Sequence, residues 1–281
     1  MCSSDLAEID RATPGPALAA SAIVESAIVE SATGEPEVSI VVPVFDEAGA
    51  VESLAREIAA AFAGWRHEMV FVDDASRDDT RARLTALAVV LPGLRVLGHR
   101  RNAGQSRAIR SGVLAARAPL VVTLDGDGQN DPADAPRLAA ALRDAPPAVG
   151  MVAGERRVRK DSQAKRWASR VANGVRRRLL RDDAVDTGCG LKAFRREAFV
   201  ALPYFDHLHR YLPALMLREG YAVRFEAVGH RPRQSGRSKY TNLGRLGVAL
   251  FDLAGVIWLR SRSSDPGGVE EAAFSARREG A

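Results

Sequence analysis

Residues 120–132 read LVVTLDGDGQNDP, and the rest of the predicted fold is arranged around them. The run begins with residues 120–124, which are apolar or β-branched and typical of a buried strand. Asp125 and Asp127 follow that strand. Because residues two apart on an extended chain point the same way, the two carboxylates can converge on one point just beyond its end. Ligands bind at the carboxyl ends of strands in open parallel sheets, so a site is predicted there.

The oxygen atoms of these two carboxylates suit Mg²⁺ or Mn²⁺ carried by a phosphorylated substrate. Two other interpretations compete with a metal site. An EF-hand loop begins similarly, but it requires Gly at its sixth position and Glu at its twelfth, where this chain has Asn130 and Pro136. An ordinary acidic turn stays open, because Asp and Gly are common turn residues.

The composition is that of a soluble globular protein, with 46% hydrophobic and 27% charged residues among 281. That length accommodates one sizeable domain with accessory segments. Cys2 and Cys189 are far apart in sequence, which favours a reducing compartment over a disulfide framework. Neither a signal peptide nor a membrane-spanning run is predicted, since the longest apolar stretch, 246–259, is interrupted by Asp252.

Strand-like and helix-like segments alternate from Glu37 onward. Strands are predicted at 38–44, 69–72, 94–97, 120–124, 149–153 and 222–228, and helices at 51–62, 79–91, 103–116, 132–143 and 211–219. This alternation predicts an α/β fold, with a mostly parallel sheet covered by helices on both faces. Residues 243–259 form a further apolar helix, which is expected to be interfacial or docked on its own domain.

Residues 156–181 form a strongly basic stretch, in which eleven of 26 residues are Lys or Arg. This density indicates an anionic partner. Four polar residues spaced within one or two turns could bind a phosphate: Lys165, Arg166, Ser169 and Arg170. A second basic loop, with a glycine, covers 231–240. Nucleic acid is not the expected partner, because an aromatic stacking surface is missing and acidic loops line the predicted cleft.

Acidic motifs follow three of the predicted strands, at 45–47 (FDE), 73–76 (DDAS) and 125–127 (DGD). The doubly wound topology places such loops on one edge of the sheet, where a nucleotide diphosphate with a divalent metal would fit. The dinucleotide-binding pattern G-x-G-x-x-G is absent from the first turn, and no P-loop pattern is present. Dinucleotide-dependent enzymes and P-loop NTPases are therefore disfavoured.

The order of these motifs resembles family-2 glycosyltransferases of the GT-A fold. The resemblance rests on PVFDE (43–47), VDDASRDDT (72–80), RNAG (101–104), DGD (125–127) and GER (154–156). The later motifs DTGCGLKAFR (186–195) and RSKY (237–240) resemble the polyprenyl- or dolichyl-phosphate sugar transferase branch, the dolichol-phosphate mannosyltransferase-like enzymes. The resemblance covers residues 38–259.

The resemblance implies roles for individual residues. Those matching positions that hold the donor nucleoside are Pro43, Phe45, Glu47 and Asp74, with Asp73 beside them. Those matching positions that coordinate Mg²⁺ or Mn²⁺ on the sugar nucleotide are Asp125, Asp127 and Gln129. Those resembling the receptors of the acceptor lipid phosphate are Arg156, Arg166 and Ser169. Arg237 and Lys239 resemble a mobile loop that closes over the diphosphate.

Three positions depart from the family pattern. Asp46 stands where Asn is usual, Ala75 where Gly is usual, and Gly126 where Ala is frequent; all three are expected to be tolerated on steric grounds. The pair of transmembrane helices that many relatives carry after the catalytic domain is not predicted within residues 1–281. Membrane attachment is therefore left open by the sequence.

The resemblance implies a metal-dependent, inverting transfer of a sugar from a UDP- or GDP-linked donor to a polyprenyl phosphate at the cytoplasmic membrane face. An acceptor phosphate is largely ionised at neutral pH and needs no strong general base. A hydroxyl acceptor on a surface glycan would need one. Asp206 and His209 are the candidates, although a helix N-cap and a surface histidine are the plainer interpretation. A non-catalytic nucleotide-sugar-binding protein is the third alternative.

Four segments are predicted from these observations. Residues 1–36, which contain the repeat SAIVE twice, are expected to be disordered, and 37–232 are the expected GT-A catalytic domain. Residues 233–260 combine the basic loop with the membrane-proximal helix, and 261–281 are a flexible tail. The expected partners are the donor, the lipid phosphate and a membrane surface; a homo-oligomer is compatible with the sequence.

Overall fold

The computed structural model describes residues 34–156, 186–232 and 242–262, together with 174, 178–180, 182 and 184; side chains in the last helix are described from 247. Several predictions lie outside these residues. They concern the N-terminal segment to residue 33 with its repeat, the basic residues 157–173, the tail from 263, and the individual residues Arg166, Ser169, Arg237 and Lys239.

A seven-stranded sheet forms the centre of the described fold, in the order β3-β2-β1-β4-β6-β5-β7. Its strands are β1 (Val38–Val44), β2 (His67–Asp73), β3 (Leu94–Gly98), β4 (Leu120–Thr123), β5 (Val149–Arg156), β6 (Lys192–Arg195) and β7 (Ala222–Val228). The first four strands pair in parallel, as do β5 and β7. The predicted mostly parallel sheet is therefore confirmed.

The strand β6 was not predicted, and it changes the expected course of the sheet. It lies between β4 and β5 and runs antiparallel to both, so β5 does not extend the parallel run beside β4. Lys192, the first residue of β6, pairs with Thr123, the last residue of β4. The residues just before β6 are therefore brought to the edge where β4 ends.

Helices cover both faces of the sheet, as predicted. They are α1 (Val51–Ala61), α2 (Thr80–Val90), α3 (Gln105–Ala115), α4 (Ala135–Arg143), α5 (Arg196–Val200), α6 (Leu212–Arg218) and α7 (Asn242–Ser261), with 3₁₀ turns at Pro132–Asp134 and Leu208–Arg210. Alternate residues of β1 serve opposite faces. Ile40 and Val42 pack in one core with α1, α2 and α4, whereas Val41 packs in the other with α3, α5 and α6.

Helix α3 lies unusually close to the sheet because Gly112 has no side chain. A Cβ atom at position 112 would be 2.4 Å from Cγ1 of Val41 on β1. This close approach holds the helix directly against the central strand. The N-terminal residues of α3, Gln105 and Ser106, are thereby placed at the edge where β1 and β4 end.

The helix α7 docks on the domain by one face and exposes the other. Its inner face carries the buried Val256, and the hydroxyl of Tyr211 donates a 3.2 Å hydrogen bond to the carbonyl of Ala249. Apolar side chains on the outer face are exposed, with 81% for Phe251 and 59% for Trp258. Among the described residues, none of the helices has the length and apolar character needed to cross a membrane.

Candidate active site

The loops after β1 and β2 are joined by hydrogen bonds at the carboxyl edge of the sheet. The amide of Asp46 donates to Oγ of Ser76 at 2.9 Å, and the amide of Glu47 donates to Oγ1 of Thr80 at 2.8 Å. In return, the amide of Arg77 donates to Oδ1 of Asp46 at 2.7 Å. The two acidic loops therefore form one structural unit, as the shared edge of a parallel sheet predicts.

Two of the departures from the family pattern occupy the left-handed backbone region. Asp46 has φ of 53° and Ala75 has φ of 62°. Asn and Gly, the residues usual at these positions, adopt this conformation more readily than Asp and Ala do. Ala75 therefore carries backbone strain that glycine would not have.

Asp73 and Asp74, predicted to lie at the nucleoside, use their carboxylates within the protein. Asp73 accepts a 2.6 Å hydrogen bond from Nε of Arg81. Oδ1 of Asp74 lies 2.6 Å from Nδ1 of His99. The Asp74 carboxylate also accepts hydrogen bonds from the amides of Ala103 at 2.9 Å and Gly104 at 2.7 Å. Asp74 therefore holds the RNAG loop against the end of β2, directly before α3.

The DGD turn is closed by hydrogen bonds from backbone amides to side-chain oxygens of the same segment. The amide of Asp125 donates to Oδ1 of Asn130 at 2.9 Å, and the amide of Gln129 donates to Oδ1 of Asp127 at 3.1 Å. Gly126 is packed tightly, since a Cβ atom there would lie 2.6 Å from Cγ1 of Val44. In this chain the position therefore fits a glycine more readily than the alanine that is frequent in the family.

Asp125 lies at the edge of the sheet between α3 and the turn before β6. Its Oδ1 accepts a 2.7 Å hydrogen bond from Nε2 of Gln105. Burial raises the pKa of the Asp125 carboxyl, and the neighbouring Asp127 carboxylate raises it further. Lys192 and Arg156 act in the opposite direction, together with the bond from Gln105, but the net shift is upward. The two aspartates are therefore close enough to repel each other.

Arg156, predicted to receive a lipid phosphate, is bound to a carboxylate of the protein. Its Nε and Nη2 atoms donate hydrogen bonds of 2.5 and 2.7 Å to the two oxygens of Asp186. This bidentate bonding raises the pKa of the Arg156 guanidinium. The pair fixes the start of the turn 186–190 beside the DGD motif.

Lys192 is a buried cation that the sequence analysis did not identify. It is 4% exposed, and its Nζ donates to the carbonyl of Cys189. Burial lowers the pKa of its ammonium group, whereas Cys189, Asp125 and Asp186 act in the opposite direction. The sequence feature that could have identified it is a lysine at the first position of β6, two residues after the last glycine of the turn 186–190.

His209 is not the surface histidine that the plainer interpretation assumed. Its Nδ1 lies 2.7 Å from Oγ of Ser106 at the start of α3. Burial lowers the pKa of the imidazole well below 6.5, and Lys192 lowers it further. Asp206 forms no helix cap, since it instead accepts a 2.8 Å hydrogen bond from the hydroxyl of Tyr204. The two candidate bases thus have separate environments.

A cavity of about 420 Å³ opens beside Asp125. The charged and larger polar residues of its wall are Gln105, Asp125, Asp186, Lys192, His209 and Arg210. The wall is therefore rich in charge, and it combines residues from α3, the end of β4, the turn before β6 and the 3₁₀ turn 208–210. Within the described residues, no group of three or more His, Cys, Asp or Glu side chains is arranged to hold a metal ion.

Comparison with protein families gives a match over the region that contains most of this site. A family model described as "Glycosyl transferase family 2" matches residues 39–202. This region includes the loops after β1, β2 and β4, the turn before β6 and the strand β6 itself. The Leu208–Arg210 turn and α7 lie beyond it.

Two relatives are similar over most of the chain. The undecaprenyl-phosphate 4-deoxy-4-formamido-L-arabinose transferase of Shewanella sediminis (strain HAW-EB3) is 37% identical over 222 residues, which cover 77% of this chain and 65% of that protein. The dodecaprenyl-phosphate galacturonate synthase of Rhizobium johnstonii is 33% identical over 238 residues, with 82% and 69% covered. The chain thus spans 65% and 69% of the lengths of these two relatives.

The solved structures confirm the fold class. Glucosyl-3-phosphoglycerate synthase from Mycobacterium tuberculosis, in complex with Mn²⁺, uridine-diphosphate and phosphoglyceric acid, superposes with a TM-score of 0.60. The superposition covers 87% of this chain and 84% of that one, at 20% sequence identity. At this identity the likeness shows the fold alone.

Proposed function

This chain belongs to glycosyl transferase family 2, and from that premise we propose that it transfers a sugar, with inversion, from a nucleotide diphosphate to a polyprenyl phosphate. The observation that carries the proposal is the charged cavity beside Asp125. Its wall brings a predicted metal ligand together with two cationic residues, Lys192 and Arg210. The names of the two relatives, which both specify a polyprenyl-phosphate product or acceptor, support the choice of acceptor.

The metal proposed for this reaction is Mg²⁺ or Mn²⁺, held by Asp125 and Asp127, with Gln129 beside them. The donor set fits, because both side chains offer hard oxygen ligands. Burial and the neighbouring Asp127 carboxylate raise the pKa of Asp125. A divalent cation would relieve the repulsion between the two carboxylates. A bound ion there would neutralise charge on the departing nucleotide diphosphate. A related fold crystallised with Mn²⁺ or Mg²⁺ supports this assignment.

The nucleoside of the donor is proposed to lie on the loops after β1 and β2. Residues 43–47 and 73–76 supply that surface, through Pro43, Phe45, Glu47, Asp73 and Asp74. Asp74 has a positioning role there, because it fixes the RNAG loop through two backbone amides. Either UDP or GDP is compatible with this proposal.

A phosphate acceptor fits the chemistry of the cavity better than a hydroxyl acceptor does. A phosphate monoester carries about 1.5 to 2 negative charges at neutral pH, so it can attack the anomeric carbon without losing a proton. A hydroxyl acceptor requires a general base. His209 lines the cavity, but burial lowers its pKa well below 6.5, which makes it a weak proton acceptor. Asp206 does not line this cavity.

The protein is proposed to work at the cytoplasmic face of a membrane. The exposed apolar side of α7 supports this, since Val248, Leu250, Phe251, Ile257 and Trp258 all lie on it. A helix with one apolar face resting in the headgroup region attaches a protein without spanning the bilayer. The basic residues 157–181 would add attraction to anionic lipids.

The remaining roles implied by the family stay proposals. Arg166 and Ser169 would meet the lipid phosphate, and Arg237 and Lys239 would close over the diphosphate. Residues 37–232 are proposed as the catalytic domain, between the 1–36 and 233–260 segments, with 261–281 as a tail.

Incubation of membrane extract and purified protein with a panel of labelled nucleotide sugars tests the function. We expect Mn²⁺- or Mg²⁺-dependent label in the mild-acid-labile lipid fraction with one donor. Label found only in a hydroxyl-linked glycan would favour the second acceptor class. Binding of nucleotide without any transfer would overturn the proposal and favour a non-catalytic role.

A further inference from the structure

We propose that Arg210 binds the phosphate of the acceptor at the wall of the cavity nearest to α7. The inference rests on the proposed function, and it adds a residue that the family resemblance did not identify. It comes from three features of the described structure: the engagement of Arg156, the position of Arg210, and the contacts that join its segment to α7.

The guanidinium of Arg156 is already committed to a carboxylate. Two of its nitrogen atoms donate to both oxygens of Asp186, at 2.5 and 2.7 Å, and the Arg156 side chain is only 15% exposed. Such a fork-to-fork pair is among the stronger polar contacts in proteins. Binding a phosphate through the same atoms would require breaking this pair, so a cation that lines the cavity is better suited to the first contact.

Arg210 lines the same cavity and has a different environment. It is partly buried, and among the described residues no hydrogen bond or ion pair to its side chain is found. The other cation of the wall, Lys192, is buried and donates to the carbonyl of Cys189. Arg210 is therefore the cavity cation whose donors are available to an incoming anion.

The segment that carries Arg210 lies between α3 and α7. On one side, His209 contacts Ser106 of α3 at 2.7 Å. On the other side, Tyr211 donates to the carbonyl of Ala249 of α7, and Nδ1 of His207 lies 3.0 Å from Oδ2 of Asp252. These contacts fix the backbone that carries Arg210 in the wall of the cavity.

The position of Arg210 favours the phosphate of the lipid acceptor over a carboxylate of the donor sugar as its ligand. The outer face of α7 is apolar and exposed, as the 81% exposure of Phe251 illustrates, so a prenyl chain would arrive along that side. Its phosphate would then meet Arg210 before it reached Asp125. A planar guanidinium can bind a phosphate through two parallel hydrogen bonds, which a lysine ammonium cannot reproduce.

The test compares Arg210→Gln and Arg210→Lys with a control, Arg224→Gln, in the 281-residue chain. Arg224 is an exposed arginine of β7 that does not line the cavity. With a short-chain prenyl phosphate as acceptor, we expect Arg210→Gln to raise the acceptor KM by about 10- to 100-fold, since a hydrogen bond to a charged group contributes about 1.5–3 kcal/mol. The donor KM should change less than about twofold, and Arg210→Lys should recover only part of the loss.

A second measurement separates this inference from the proposed function. Calorimetric titration of the prenyl phosphate, with the prenyl alcohol and inorganic phosphate for comparison, reports acceptor binding without any transfer. Loss of prenyl phosphate binding in Arg210→Gln supports the inference even if no donor sugar is turned over. Unchanged binding and an unchanged acceptor KM would overturn it. A KM increase confined to donors with an acidic sugar would also overturn it, and would assign Arg210 to the sugar carboxylate.

Discussion

Gly190 lies so close to Asp125 that a Cβ atom at position 190 would be 2.2 Å from the Asp125 carboxyl carbon. This is far inside van der Waals contact, so a side chain at position 190 would force the Asp125 carboxylate out of its present position. The turn before β6 therefore sets the position of the carboxylate. The absence of a side chain at residue 190 is a requirement of the proposed metal site.

Gly190→Ala is expected to displace the Asp125 carboxylate and to weaken Mn²⁺ binding by tenfold or more, at a stability cost of about 1–3 kcal/mol from overpacking. Electron paramagnetic resonance titration of Mn²⁺ measures the affinity directly. Gly64→Ala is the matched control, because a Cβ atom at residue 64 meets nothing within 4 Å. Equal Mn²⁺ affinity in both variants would contradict this account of the turn.

Asp127→Ala is expected to leave the fold intact and to lower Mn²⁺-dependent transfer by about 100-fold or more, because a metal ion contributes several kcal/mol to charge stabilisation. The melting temperature should change little, since Asp127 is only partly buried. Asp144→Ala removes one exposed carboxylate elsewhere and should keep full activity. A fully active Asp127→Ala protein would refute the metal assignment.

Ala75→Gly is expected to stabilise the protein by about 1 kcal/mol, because it relieves the left-handed conformation at φ of 62°. Ala48→Gly is the control, since Ala48 lies outside the positive-φ residues and should lose stability through the added freedom of the unfolded chain. Urea unfolding of both variants shows whether each substitution raises or lowers the free energy of unfolding. Destabilisation by Ala75→Gly would show that the strain is negligible.

Glu68 should make folding stability depend on acid pH. Burial raises the pKa of its carboxyl, but hydrogen bonds from Ser39 at 2.7 Å, the Arg117 amide at 2.7 Å and Arg95 at 2.6 Å outweigh it, and the net shift is downward. A lowered folded-state pKa contributes stability that is present above the unfolded value. That stability is lost as the pH falls through the folded value.

Glu68→Gln should therefore lower the free energy of unfolding by about 2 kcal/mol at pH 7, where the charged network is intact. The difference in the free energy of unfolding between the variant and the wild type should narrow as the pH falls below the unfolded-state pKa of about 4.3 and through the lowered folded-state pKa, because protonation of Glu68 in the folded wild type removes the charged network. Urea unfolding at several pH values measures the stability difference at pH 7 and its change with pH. A gap independent of pH would mean that the charge of Glu68 has no role.

The double change Phe251→Asp and Trp258→Asp should weaken flotation with anionic liposomes and leave the melting temperature within a few degrees. Both side chains are exposed, so the domain does not need them for packing. Val89→Asp changes an 85% exposed apolar residue on α2 and provides the control. Equal flotation of all three proteins would argue against α7 as the membrane contact.

The local sequence pattern was sufficient to predict the helices and strands that have a strong hydrophobic periodicity. The predicted strand 38–44 and the helix 51–62 agree with β1 and α1, because β-branched runs and apolar residues at helical spacing are local signals. The loops at 45–47 and 73–76 do form one unit, which follows from parallel pairing alone. These parts of the site required no knowledge of long-range contacts.

The missed features depend on contacts between distant residues. Lys192–Arg195 is a four-residue segment with a charge at each end, and only its pairing with β4 and β5 makes it a strand. His209 was interpreted as a surface residue because nothing nearby in sequence shows that Ser106, 103 positions earlier, packs against it. Likewise, the engagement of Arg156 with Asp186 arises from strand pairing that local pattern does not reveal.

Because β6 runs antiparallel to β4 and β5, the turn that precedes it forms one wall of the cavity. A parallel strand would present its C-terminal end here, whereas β6 presents its beginning, with the short turn 186–190 leading into it. Thr187 and Gly188 of that turn line the cavity without belonging to either hydrophobic core. Exchanging these two residues would reshape the space offered to the sugar while the sheet stays as it is, so libraries made at these positions are a direct route to altered donor preference.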